Sequence, residues 1–178
     1  MNIVLFSGSN KPTFFNEIKV ELEKIGSNLD PQKFNIWYGG GKEGIMSILP
    51  LSFHHSGGFV GTIDWKYFTE RYGSIPLFKN IITETFWERQ KKLIQVGDIY
   101  LCLPGGVGTL SELMDVLVEN DVHHRNKKII LFSYENFFHD ILVFLKEKIE
   151  MGFIKERHLE NIKVFHTSEE ILSFLHNL

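Results

Sequence analysis

Short apolar runs alternate with longer amphipathic segments along this chain of 178 residues. Apolar residues spaced three and four apart favour helices, whereas short continuous apolar runs favour buried strands. Their alternation predicts an α/β fold: a doubly wound, mostly parallel sheet, Rossmann-like, in a three-layer α/β/α arrangement. We expect residues 1–178 to form a single domain of this kind. The predicted strands are residues 3–6, 34–38, 59–63, 78–83, 98–103, 128–133 and 162–165.

Prolines, glycines and capping residues predict where several helices begin and end. Pro12 is expected in the first turn of the first helix, and Gly26 at its end. Pro50 is expected to kink or end a helix that begins at Ile45, because proline has no N–H to donate. Ser168 is expected to cap the last helix. Further helices are predicted at residues 84–96 (with Phe86, Trp87 and Leu93 as inward-facing candidates), 111–118 and 137–151, and residues 64–75 are expected to be irregular.

Composition excludes several classes of function. The formal net charge is −3 and no Lys/Arg cluster dominates a segment, so a nucleic-acid partner is not indicated. The single cysteine, Cys102, lies in an apolar run and is predicted to be a core residue in a reducing compartment. Residues 44–63 carry no Lys, Arg, Asp or Glu, but Pro50 and the glycines and histidines of this segment favour a helix, a turn and a strand over a membrane span. We therefore expect a soluble, cytoplasmic protein with no membrane partner.

The strand predicted to end at Leu103 is followed by a turn of small residues and then by a helix. Glycines let the backbone approach an anion closely, and the free N–H groups of a first helical turn point towards it. This order of elements predicts a phosphate-binding turn. Glu112 follows within the helix, where its carboxylate could reach a sugar attached to the phosphate. The turn is Pro104, Gly105, Gly106, Val107, Gly108 and Thr109.

Two other predicted strands also end in loops of small residues, at 7–10 and 39–44. The carboxyl ends of parallel strands lie at one edge of a sheet, where ligands bind near the reversal of strand order. We therefore expect these two loops and the 104–109 turn to converge on one site.

The 39–44 loop also matches the dinucleotide pattern G-x-G-x-x-G, with Asp64 about twenty residues later. A nicotinamide-dependent oxidoreductase and a tight turn without a ligand are therefore alternatives for this loop. The adjacent histidine pairs at 54–55 and 123–124 lack the ligand spacing of a metal site and are expected at the surface or in loops.

Arg89 and Glu112 are the candidate catalytic residues, since both belong to predicted helices that flank the strand at 98–103. Each has a simpler interpretation. Glu112 could only stabilise the start of a helix, and Arg89 could lie on a helix surface.

The segment from Pro104 to Glu112 matches P-G-G-x-G-T-x-x-E, and on this motif the chain resembles the Lonely Guy family. These are cytokinin riboside 5′-monophosphate phosphoribohydrolases, often mislabelled as lysine decarboxylases. The resemblance covers essentially the whole chain. Residues 6–9 are similar to the family's first loop, residues 38–46 to its Y-G-G-G-x-x-G-L-M segment, and Glu88-Arg89 to its M-x-x-R-K element.

The resemblance implies hydrolysis of the N-glycosidic bond of a nucleoside 5′-monophosphate, such as AMP or a cytokinin riboside monophosphate, with no metal or organic cofactor. A non-catalytic nucleotide-binding protein of the same fold is the alternative. The family also implies a homodimer. Gln90, where the family has lysine, and Ser111, where it has a second acid, depart from the pattern and bear mainly on base specificity. The implied site comprises Glu112 and Arg89 as catalytic residues and Pro104, Gly105, Gly106, Gly108, Thr109, Ser7, Gly8, Gly40, Gly41 and Met46 as substrate-binding residues.

Overall fold

All seven predicted strands are present in the computed structural model, which describes residues 1–178. They are β1 (Asn2–Phe6), β2 (Asn35–Tyr38), β3 (Phe59–Trp65), β4 (Lys79–Thr83), β5 (Ile99–Cys102), β6 (Lys128–Phe132) and β7 (Ile162–Phe165). They form one sheet in the order β4-β3-β2-β1-β5-β6-β7, and every neighbouring pair is parallel. The prediction of a parallel α/β sheet is confirmed.

Seven α-helices pack on the two faces of the sheet, which confirms the three-layer arrangement. Buried residues of the first, second and seventh helices pack on one face of the strands. Buried residues of the fourth and fifth helices pack on the other face. The helices are α1 (Phe15–Asn28), α2 (Ile48–His55), α3 (Lys66–Tyr72), α4 (Phe86–Val96), α5 (Val107–Val122), α6 (His139–Glu150) and α7 (Ser168–His176), and two short 3-10 turns lie at Tyr134–Asn136 and Glu156–His158.

The strand order reverses between β1 and β5. After β1 the chain builds β2, β3 and β4 on one side, and it then returns to pair β5 with the other side of β1. In sheets of this kind a ligand crevice forms at the carboxyl ends of the strands where the order reverses. The residues directly after β1 and β5 border this crevice, which places the first loop and the Pro104 turn there.

The predicted helix boundaries around α1 and α2 are wrong in three places. Pro12 precedes α1, and Gly26 lies inside it. A Cβ at Gly26 would lie 2.6 Å from the carbonyl oxygen of Leu49, so this glycine lets α1 pack closely on α2. Pro50 lies in the first turn of α2, which begins at Ile48, instead of ending a helix. Proline is tolerated there because the N–H that it lacks has no partner in a first turn.

Residues 64–75, expected to be irregular, are the end of β3 followed by α3. Asp64 and Trp65 are the last residues of β3 and pair with β4. The aromatic side chains of this region pack on one another, and the ring centroids of Trp65 and Phe68 are 5.1 Å apart. These aromatic residues pack on one another outside the two cores. Their spacing in the sequence therefore follows neither the strand period nor the helix period.

Three expectations about the later helices are also corrected. α5 begins at Val107, four residues before the predicted start, because Gly106 takes the N-cap position. Trp87, an inward-facing candidate, is 76% exposed on α4. The last helix is capped by Thr167, since its hydroxyl accepts a hydrogen bond from the N–H of Glu170 and the Glu170 carboxylate accepts one from the N–H of Thr167.

The uncharged segment at residues 44–63 is divided between α2 and β3, as predicted. None of the helices is both long enough and apolar enough to pass through a bilayer.

Candidate functional site

The three loops of small residues meet at the carboxyl edge of the sheet, as predicted. The N–H of Gly8 donates a 3.1 Å hydrogen bond to the carbonyl oxygen of Pro104, which joins the loops after β1 and β5. A Cβ at Gly8 would lie 3.0 Å from the Cα of Gly105. The third loop packs on the first through Gly44, where a Cβ would overlap the backbone of Ser9. The crevice at the strand reversal is therefore lined by glycine backbone.

The Pro104 turn leads directly into the first turn of α5. Thr109 is buried, and a Cβ at Gly105 would overlap its hydroxyl oxygen. Gly106 and Gly108 have open space where a side chain would be. The first N–H groups of a helix have no partner within the helix and carry its positive dipole end. This turn therefore offers accessible N–H groups to an anion.

Arg89 is held in a buried position by the start of α4. The hydroxyl of Thr85 accepts a 3.1 Å hydrogen bond from the N–H of Glu88, which fixes the first turn. Arg89 directly follows Glu88, and its Nη1 donates a 2.7 Å hydrogen bond to Oε1 of Gln90. The same Nη1 lies 3.5 Å from Oε1 of Glu112 on α5. The structure thus brings the two candidate catalytic side chains together, although they belong to different helices.

Glu112 lies in an environment that disfavours its charged form. Burial raises the pKa of its carboxyl to about 7, although the neighbouring charge of Arg89 lowers it, and the charge of Asp115 raises it further. A carboxyl with a pKa near neutrality can exchange a proton during a reaction at physiological pH. This property distinguishes Glu112 from an ordinary helix-stabilising glutamate.

The 39–41 glycines leave their side-chain space to groups from elsewhere in the chain. In the dinucleotide pattern the glycines let the backbone approach a pyrophosphate. In this loop the glycines make room for other side chains of the protein, so the loop has a different structural role. A Cβ at Gly39 would overlap the guanidinium of Arg89, one at Gly40 would overlap the carboxylate of Asp64, and one at Gly41 would lie 2.6 Å from the sulfur of Met46.

Two buried polar residues of the site, Gln90 and Asp64, lie outside the set predicted from the sequence. Gln90 differs from the lysine of the family motif, and its side chain orients Arg89. Asp64 is the only charged residue of β3. A single acidic residue at the end of an otherwise uncharged strand is the signal that could have found it.

The predicted site residues divide into two groups in the structure. One group surrounds the crevice at the strand reversal, and the second extends along the edge towards β2 and β3. The Met46 side chain is partly buried against the core formed by α1 and α2. The first group is Ser7, Gly8, Arg89, Pro104, Gly105, Gly106, Gly108, Thr109 and Glu112, and the second is Gly40, Gly41 and Met46.

Cys102 is fully buried, and burial raises the pKa of its thiol, so its predicted place in the core is confirmed. No group of three or more histidine, cysteine, aspartate or glutamate side chains lies close enough together to hold a metal ion.

The fold and the site define an α/β protein with an open, glycine-lined helix start and a buried arginine–glutamate pair at the strand reversal. The chain belongs to the family described as possible lysine decarboxylase, whose model matches residues 47–175. It is 29% identical over 161 residues to the cytokinin riboside 5′-monophosphate phosphoribohydrolase LOG5 of Arabidopsis thaliana, an alignment covering 86% of this chain and 67% of that protein. It is 26% identical over 137 residues to the phosphoribohydrolase of the same name from Mycobacterium marinum, covering 77% of this chain and 73% of that one.

Solved structures share the whole architecture. The structural-genomics protein TM1055 has a TM-score of 0.74 with 18% identity, and 99% of each chain is covered. The Moco carrier protein from Chlamydomonas reinhardtii has a TM-score of 0.71 with 13% identity, covering 99% of this chain and 95% of that one. These likenesses concern the fold, which is as predicted.

Proposed function

We propose that residues 1–178 act as one nucleotide-binding domain that hydrolyses the N-glycosidic bond of a nucleoside 5′-monophosphate. The products are the free base and ribose 5-phosphate. The observation that carries the proposal is the buried pair of Arg89 and Glu112 beside an open, glycine-lined helix start. The names of the Arabidopsis and Mycobacterium relatives support the same reaction.

The 5′-phosphate binds at the start of α5. Gly105, Gly106 and Gly108 supply backbone N–H groups, and Thr109 supplies a hydroxyl. The positive end of the α5 dipole favours the phosphate dianion at this point. Ser7 and Gly8 form the adjoining side of the crevice, and Pro104 holds Gly8 through the hydrogen bond between the two loops. Gly40, Gly41 and Met46 line the edge beyond the phosphate.

Glu112 acts on the ribose and the attacking water. As the bond between C1′ and the base nitrogen breaks, its electron pair leaves with the base and positive charge develops on the ribose. A nearby carboxylate stabilises that charge. The water oxygen then bonds to C1′, and its proton passes to the Glu112 carboxylate, which has to be ionised to accept it. Transfer of this proton to the nitrogen of the departing base gives the neutral free base and restores the carboxylate.

Arg89 supplies a fixed positive charge at the site. Its guanidinium holds the phosphate or stabilises the departing base through charged N–H donors. Gln90 and Glu112 keep its Nη1 end in one orientation. Because both neighbours of Nη1 are acceptors, the guanidinium is oriented before the substrate arrives.

A nucleotide-binding protein without catalysis is the second candidate function. The Moco carrier protein, which has this fold, motivates it. The two functions are separated by incubating the protein with a panel of nucleoside 5′-monophosphates and measuring free base by chromatography. Release of base that depends on the protein supports the hydrolase, whereas saturable nucleotide binding without release over hours supports the carrier.

The proposal includes a cytoplasmic homodimer. The single thiol, Cys102, is reduced and buried, which suits a reducing compartment. Val118 and Val122 are exposed on α5 and Trp87 on α4, and these apolar side chains could be covered by a second copy. Light scattering coupled to size-exclusion chromatography gives the mass directly, and a monomer at micromolar concentration would contradict the dimer.

A further inference from the structure

An open pocket lies at the carboxyl edge of the sheet, outside the residues assigned to the proposed reaction. It is bordered by the loop after β1, the loop after β2 and the starts of α1 and α2. Its volume is about 610 Å³, which falls in the range of roughly 300–1,000 Å³ that is typical of small-molecule sites. Ligands of parallel α/β sheets bind at this edge. The pocket is called the lysine pocket below, after Lys11, Lys19 and Lys42, which line it.

The three lysines approach the pocket from three segments, and their positive charge is poorly balanced. Neither Lys11 nor Lys42 has an acidic side chain within ion-pair distance. Lys19 lies 3.6 Å from Glu23, but these side chains are 48% and 51% exposed, and such a pair contributes little. Glu43 is the only acidic residue that lines the pocket. Because an ammonium group offers only hydrogen-bond donors, the lining favours an anion.

Contacts within the protein hold two of these charges in place. The ammonium of Lys11 lies 5.1 Å from the ring centroid of Phe15, another residue of the lining, as in a cation–π contact. The ammonium of Lys42 occupies space that Gly73 leaves open, since a Cβ at that glycine would lie 2.8 Å from Nζ. Neither ammonium donates a hydrogen bond, so both remain available to a ligand.

The starts of α1 and α2 add partial positive charge to the same pocket. Neither helix has a side-chain cap at its start. The hydroxyl of Ser47, at the N-cap position of α2, instead donates a 3.0 Å hydrogen bond to the carbonyl oxygen of Lys42. Glu17 is the only acidic residue in the first turn of either helix, and it does not line the pocket. Positive side chains near a helix start are unfavourable, and a bound anion would compensate both.

We propose that the lysine pocket is a second anion site, which binds the diphosphate group of a small molecule. The pocket is larger than a single phosphate needs, and three lysines from separate segments match a group with several charged oxygens. Phe15 and Ile48 form an apolar wall on which an organic part would rest. The site goes beyond the proposed function, because none of its residues takes part in the proposed reaction.

Calorimetric titration with inorganic pyrophosphate tests the site without any turnover. The triple variant Lys11→Gln/Lys19→Gln/Lys42→Gln removes the three charges, and its affinity should be lower by about tenfold or more, because hydrogen bonds to charged groups are lost. All three side chains are exposed, so we expect the variant to fold normally. Failure of the native protein to bind pyrophosphate at millimolar concentration would overturn the proposal.

A matched control separates the pocket from a general effect of net charge. Lys128→Gln/Lys146→Gln/Lys163→Gln removes three exposed lysine charges from β6, α6 and β7. Its affinity for pyrophosphate should change by less than about twofold, because salt screens distant exposed charges. Equal losses of affinity in the two triple variants would overturn the proposal.

Backbone amide chemical shifts locate the bound anion. Pyrophosphate should shift the amides of Gly44, Ser47 and Ile48, which line the pocket. Shifts confined to Gly106 and Gly108 would place the anion only at the start of α5 and would overturn the proposal. Because this measurement needs no release of base, failure of the proposed function and failure of the lysine pocket are distinguishable.

The same pocket amides identify the source of the diphosphate group. Tighter binding of adenosine 5′-diphosphate than of pyrophosphate at these amides would support the site and identify a nucleotide as its ligand. Equal or weaker binding of the nucleotide would support a site for the free diphosphate anion.

Discussion

The guanidinium of Arg89 on α4 lies 3.5 Å from the carboxylate of Glu112 on α5, and the two side chains are 8% and 13% exposed. A surface ion pair at this distance would contribute little to stability or chemistry. In a largely buried setting the same contact holds a positive charge and a carboxylate near the start of α5, where we propose that the phosphate binds. The proposed reaction depends on this pair.

Glu112→Gln keeps the size of the side chain and removes its ability to take a proton. We expect turnover of AMP to fall by about 10²–10⁴-fold, with nucleotide affinity nearly unchanged, because the phosphate site is separate. Steady-state kinetics and calorimetric titration measure the two quantities. Glu119→Gln, on the same helix but away from the crevice, is the control, and a Glu112→Gln protein with full activity would rule out a catalytic role for Glu112.

The raised pKa of Glu112 predicts the pH dependence of activity. The carboxylate has to be ionised to accept a proton from water, and its pKa in the free protein is about 7. We therefore expect kcat/KM, which reports on the free enzyme, to rise with pH through a value near 7 and then level off. A profile that is flat between pH 5 and pH 9 would show that no group with this pKa controls the reaction.

The same pKa values predict a loss of stability at higher pH. Asp64 and Glu112 have pKa values raised to about 6 and about 7 from ordinary values of 3.8 and 4.5. Between these values the folded protein holds protons that the unfolded chain releases. The two carboxyls therefore contribute fully to the free energy of unfolding below about pH 4, and this contribution is lost as pH rises through 6 and 7. Denaturant unfolding at pH 5 and pH 8 measures it. Glu112→Gln should narrow the difference between the two pH values, and an unchanged difference would contradict the assigned cause.

Gln90 is expected to contribute to activity although it does not match the family motif. Its Oε1 accepts the 2.7 Å hydrogen bond from Arg89. Gln90→Leu removes that acceptor, and we expect kcat/KM to fall about tenfold, roughly the value of one hydrogen bond to a charged group. Gln95→Leu, an exposed position on the same helix, is the matched control. Equal kinetics in the two variants would show that the contact does not orient Arg89.

Gly105→Ala tests the proposed phosphate site. A Cβ at this position would overlap the Thr109 hydroxyl and approach the N–H of Gly8 to 2.8 Å. The turn has to shift, so affinity for AMP should fall at least tenfold while affinity for adenosine, which has no phosphate, changes little. Calorimetric titration with both ligands measures this, and equal losses would indicate a general distortion of the crevice.

Much of the fold was predictable because a parallel sheet covered on both faces requires continuous apolar strands. The runs ending at Phe6 and Leu103 have this character, and both strands are where they were predicted. The Pro104 turn was equally visible, since its glycines and the following helix are contiguous in the sequence. The convergence of the three loops followed from the shared direction of the strands.

The rest depends on contacts between distant segments. The glycines at 39–41 are visible in the sequence, but the side chains that fill their space come from α4, β3 and the turn before α2. The sequence marks Asp64 only as the acid of a dinucleotide pattern, because periodicity gives no information about what a buried charge faces. Gly26 was expected at a helix end, and its contact with α2 is likewise a property of the packed structure.

The most direct test of the central claim is to follow AMP, adenine and ribose 5-phosphate together by chromatography during incubation with the purified protein. The account predicts that adenine and ribose 5-phosphate appear in equal amounts as AMP is consumed, and that Glu112→Gln suppresses both. Consumption of no AMP by a protein that binds it, or equal rates for the native and Glu112→Gln proteins, would contradict the claim that Arg89 and Glu112 form a phosphoribohydrolase active site.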